Sequence, residues 1–249
     1  MCISAEASIN SFFFNLVSVI LLIQYGNDNL KLYNLIIGMF AIFTSLMQLV
    51  DLGIWLDLDC KRGLNKFVSK VGPILNHLQP TMIFVIAFLV IKYTDVGKEV
   101  NENLKNTKFE NFMITTEKIN YNNVINLLYF CLISYVLVIY YIKESKSSSA
   151  FCSTVFKNHI RWNWTDIYKD NITYSIIYTL LYALIGTMNF YTINPFSSYI
   201  KLVLILYFFQ YSIAKTISRI HLSEIWCLIS NSLPLTLLIL QKIFPKYLN

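Results

Sequence analysis

Runs of about twenty mostly apolar residues constrain this chain more than any other feature of its sequence. They recur at residues 7–23, 32–56, 72–91, 124–142, 173–192, 199–214 and 222–244. A helix rising about 1.5 Å per residue needs roughly 20 such residues to cross the hydrocarbon core of a bilayer. The strands of a membrane barrel would be about ten residues long and would alternate with period two; these runs are longer and lack that alternation. The expected fold is therefore all-α, an integral membrane bundle of seven transmembrane helices forming one domain over residues 1–249. Composition agrees. Of the 249 residues 56% are hydrophobic and 14% charged, with a mean hydropathy of +0.53, whereas a soluble domain carries about 25% charged residues. The first run has no basic stretch before it and no small-residue cleavage site after it, so it reads as a retained helix rather than a signal peptide.

The net charge of +6 arises from 20 basic and 14 acidic residues. Only three of the bases are arginines, and the bases fall in short loops between apolar runs. That pattern fits membrane-flanking charge and argues against nucleic acid as a partner; the partner it implies is the lipid bilayer itself. With seven spans, eleven of the 20 bases lie on the N-terminal side, which by the positive-inside rule places the N terminus in the cytoplasm. Two glycosylation sequons, Asn163-Trp164-Thr165 and Asn171-Ile172-Thr173, fall on that side and would stay bare there. The five cysteines are odd in number and include no CxxC pair, so neither a disulfide framework nor a thiolate zinc site is expected. Two loops are long, 93–123 and 143–172, the second opening Ser-rich and ending in aromatics.

The polar residues gather unevenly. Gln48, Asp51 and Trp55 share one helix face near the end of the second run, with Cys60 just beyond. Asn76, His77 and Gln79-Pro80 lie in the third, His159, Trp162 and Trp164 precede the fifth, and His221, Glu224, Trp226 and Cys227 open the seventh. All these positions belong to the N-terminal side of the membrane. Most have an ordinary explanation: Trp162 and Trp164 suit an interfacial aromatic belt, and Tyr174, Tyr178 and Tyr182 suit helix packing. Asp51 and Glu224 do not, because a carboxylate within an apolar span costs about 2.5–3.5 kcal/mol unless it faces a partner or a cavity. The expected site is thus a ligand or ion pocket bounded by Asp51, Gln79, His159, His221 and Glu224. Within it His159, His221 and Glu224 form a candidate nitrogen/oxygen metal set for zinc or iron. Pro234 should break the last helix by freeing the carbonyl of Ser230 beside Asn231 and Ser232.

Several seven-helix families are excluded by their missing residues. The only lysine of the last run, Lys242, stands at its far end, which argues against retinal, and no paired histidines of the membrane-hydrolase kind occur near it. A set of short motifs matches better: Met1-Cys2-Ile3-Ser4-Ala5-Glu6-Ala7-Ser8, Gln48 with Trp55, Cys60 and Asn65, Gln79-Pro80, His159-Ile160-Arg161-Trp162, and Glu224-Ile225-Trp226-Cys227-Leu228. In this order they resemble a family of uncharacterised multi-pass membrane proteins found in bacteria and large DNA viruses. The resemblance implies the seven-helix topology and no particular chemistry; a composition rich in Lys, Asn and Ile would suit a viral member. The expected function is binding or transport of a small molecule or ion through the polar pocket. The alternatives are a metal-dependent membrane hydrolase acting on lipid and a structural or scaffolding membrane protein.

Overall fold

The computed structural model describes residues 4–97, 151–156, 159–162 and 231–244. The expected helices at 124–142, 173–192 and 199–214, and residues 222–230 of the last, lie outside them. The described part is mostly helical.

Helix α1 spans Ala5–Tyr25. Ser4 caps it by accepting the Ala7 amide at 3.1 Å, and Glu6 lies in the first turn, where the helix dipole favours a negative charge. The chain leaves it at Gly26, whose N–H donates to the Leu22 carbonyl at 3.0 Å. A short 3-10 turn, Asp28–Leu30, leads into α2 at Lys31–Trp55. α1 and the continuous helical stretch Asp28–Trp55 are both long and apolar enough to cross a membrane.

The faces of α1 are reversed relative to a helix of a water-soluble protein. Its buried side holds Ser8, Ser11, Asn15 and Ser18, spaced by three and four, together with Val19 and Leu22, whereas Phe13, Phe14, Val17 and Ile20 are exposed. In water this would leave apolar surface bare and spend burial on hydroxyls. With lipid as solvent the same arrangement is favourable, because small and polar residues let helices approach closely and bond to one another. Asn15, at the centre of α1, donates to the Ala41 carbonyl of α2 at 3.0 Å.

Helix α3 spans Leu64–Tyr93, and α2 packs between α1 and α3. It begins eight residues before the expected position 72. Lys66 and Lys70 made these two turns read as loop, yet they bury Asn65, Val68 and Ser69. The start is fixed by Gly63, whose φ of 77° is the left-handed region that glycine enters without steric cost. It is fixed as well by Asp57, whose carboxylate accepts the amides of Arg62 (3.0 Å) and Asn65 (3.1 Å). The α2–α3 register is set by close approach: a Cβ on Gly53 would lie 2.7 Å from Val68 Cγ1.

One departure from the sequence reading follows. Residues 151–162 include an antiparallel hairpin of β1 (Thr154–Phe156) and β2 (His159–Arg161), with Val155 opposite Ile160, so the fold is not purely helical. A break beside Pro234 was expected, and the described residues there begin at Asn231. Asn231 and Ser232 form a turn, and a new helix, α4 (Leu233–Ile243), begins with Pro234 in its first turn, where no amide donor is required. α4 lies along α1 and runs parallel to it. Asn231 Nδ2 donates to Ser11 Oγ at 2.8 Å, and ten residues later Gln241 Oε1 accepts the Asn27 amide at 2.8 Å.

The two ends of the described bundle differ. Around the α1–α2 turn Leu22, Leu30, Tyr33, Ile37, Leu233 and Leu237 form one apolar cluster, and Leu32, Ile36, Ile86 and Val90 a second. The opposite end, where α2 passes into α3, buries Asp51, Asp57, Asn65 and Ser69, and the hairpin packs onto it as a cap.

Candidate functional site

Asp51 lies in the last full turn of α2 and is fully buried, with Gln48 buried one turn before it. A carboxyl group buried in an apolar helix requires hydrogen-bond partners. Trp162, which follows β2, supplies one: its indole Nε1–H donates to Asp51 Oδ1 at 3.1 Å. Trp162 and Ile160 are themselves buried, so the outgoing strand of the hairpin is packed onto the end of α2.

The incoming strand is held by different chemistry. Cys60 and Cys152 form a disulfide between Cα atoms 6.2 Å apart, joining positions separated by 92 residues. This corrects the expectation of unbridged thiols; an odd count hides a pair as readily as it signals none. Cys60 adopts φ 56°, uncommon outside glycine, in a turn closed by its amide on the Asp57 carbonyl at 3.0 Å.

Next to the disulfide, Asn65 uses its whole side chain. Its Nδ2 donates to the carbonyls of Asp57 (3.1 Å) and Ser153 (2.9 Å), and its Oδ1 accepts from the Ser153 amide and from Ser69 Oγ, each at 3.0 Å. The Ser69 and Ser153 hydroxyls lie 2.8 Å apart. One buried amide thus pairs both backbone groups of Ser153, as a neighbouring strand would. Lys70 stands 5.3 Å from the centre of the Phe151 ring, a cation–π distance. Chiefly the Arg62 amide, with those of Asn65 and Leu64 and the Arg62 charge, holds the Asp57 carboxyl below its ordinary value, against the opposing effect of burial.

The site residues expected from sequence are distributed as follows. Asp51 is at the heart of the cap. His159 opens β2, opposite Phe156, so its backbone belongs to the cap. Gln79 is in the middle of α3. With Gly53 level with Val68, Asp51 is level with about residue 70, so Gln79 stands roughly 13 Å deeper along the helix. His221 and Glu224 lie outside the described residues. Among the described residues no group of three or more His, Cys, Asp or Glu is disposed to hold a metal ion.

Sequence reasoning assigned Trp162 to an aromatic belt and passed over Ser69, Cys152 and Ser153. The usable signal was Asp51 itself, which demanded a donor from elsewhere in the chain. Of the motif residues quoted above, Cys60, Asn65, Ile160 and Trp162 meet in this one cap. No family model, curated protein or solved structure matches the chain.

Proposed function

We propose that the chain is a multi-pass integral membrane protein that binds a cation, a proton or a small polar molecule at its capped end, as a transporter or sensor does. The observation that carries this reading is Asp51. It is the single acid of a largely apolar helix and is buried, with Gln48 one turn away and a tryptophan N–H on one of its oxygens. Ionisable residues so placed mark ion paths and ligand sites in membranes. The reversed faces of α1 and the parallel course of α1 and α4 support the membrane bundle. The sequence adds His221 and Glu224 as further groups for the same site.

Calorimetric titration of the detergent-purified protein with sodium, potassium, calcium and zinc chlorides, one at a time, tests the reading. Saturable binding of one of them is expected, weakened at least tenfold by Asp51→Asn and unchanged by the exposed control Asp59→Asn. Identical behaviour of wild type and Asp51→Asn, both in these titrations and in proton flux into liposomes, would discard the pocket.

A second reading, a structural membrane protein, is favoured by the Asn65 network, in which every hydrogen-bonding position of the amide is used. Such saturation holds a shape and leaves nothing for a ligand. That reading predicts that Asp51→Asn changes stability alone.

A further inference from the structure

The disulfide determines which side of the membrane the cap faces. We infer that the α2–α3 turn, the hairpin and the N terminus all lie on the oxidising side, away from the cytoplasm. The inference rests on the membrane reading above and adds its sidedness.

The first step is chemical. A bridge between cysteines 92 residues apart persists where thiols are oxidised, and cytoplasmic thiols are kept reduced. Forming it removes one proton from each of Cys60 and Cys152 and two electrons in all. A disulfide of a thiol oxidoreductase accepts the electrons and leaves as a dithiol. The bridge does not stand alone. Ser153, next to Cys152, is held by Asn65, and Trp162 is held by Asp51, so the hairpin is seated at this place by contacts independent of the sulfurs.

The second step is topological. α1 and Asp28–Trp55 are each long enough to span, and a turn of a few residues joins them. Two consecutive crossings return the chain to the side from which it started. Ser4, at the head of α1, and Cys60, just past α2, therefore share a side. The loop charges, eleven on this side against nine on the other, favour the opposite assignment by a margin of two. A covalent bond that requires oxidation outweighs that margin.

The test uses the full chain with the native sequons removed by Asn163→Gln and Asn171→Gln, carrying an N-terminal glycosylation-acceptor tag and translated into microsomes. The tag should gain a glycan. Two cysteines should resist a polyethylene-glycol maleimide until a reductant is added, and Cys152→Ser should leave Cys60 reactive from the start. An unglycosylated tag on a carbonate-resistant protein overturns the sidedness, whether or not the bridge forms. A glycosylated tag with Cys60 and Cys152 both reactive before reduction overturns the disulfide as its basis. Release of the protein by carbonate instead overturns the membrane reading beneath it.

Discussion

Asn65 shows how much one side chain can hold. Replacing it by alanine strips partners from the Ser153 amide and carbonyl and from the Asp57 carbonyl, all in a buried place. Asn65→Ala should cost about 3 kcal/mol in chemical unfolding of the purified protein. Asp57 adds a dependence on acidity. Its folded carboxyl titrates below the ordinary value of 3.8, so its stabilising effect is complete above that value and is lost as pH falls through the lower, folded one. Melting curves from pH 6 down to pH 2 should show that loss at the acid end, and Asp57→Asn should flatten it. These residues differed in how visible they were beforehand. Asp51 stood out because an acid in an apolar run is rare. Asn65 stood out only as a motif residue without a role, since an asparagine among lysines looks like loop and its partner at Ser153 is 88 residues away.

At the level of elements, boundaries were legible where the chain carries its own punctuation. α1 was expected at 7–23 and runs Ala5–Tyr25, between the cap Ser4 and the exit Gly26; α2 was expected at 32–56 and runs Lys31–Trp55. The start of α3 was not legible, because its first two turns are amphipathic and are held by contacts from outside the helix. The hairpin escaped notice for a similar reason. Three-residue strands carry almost no periodicity, and tertiary ties seat this pair. Packing between α2 and α3 depends on the bare backbone at Gly53. An added methyl would meet the β-branched, stiff Val68 at 2.7 Å. Gly53→Ala should therefore cost about 1–3 kcal/mol and lower the melting temperature. Val68→Ala in the same chain should recover part of the loss by clearing the space.

For the whole molecule the decisive trait is the exchange of inside and outside along α1. If lipid bathes Phe13, Phe14, Val17 and Ile20, a charge among them is penalised in proportion to its depth. Val17→Asp, two residues from the middle of α1, should lower insertion by about 2.5–3.5 kcal/mol in a glycosylation-mapping assay. Ser18→Ala, on the buried stripe, should insert as well as wild type. A water-soluble fold would tolerate the aspartate on that exposed face. At the far end from the cap, the amides of Asn34 and Gln241 clasp each other reciprocally at 2.7 and 3.2 Å, across 207 positions of sequence. The clasp sets an order of events during synthesis. The Asn34–Gln241 pair can close only after the chain has been made as far as Gln241, so the finished shape is reached only once translation has passed that late glutamine.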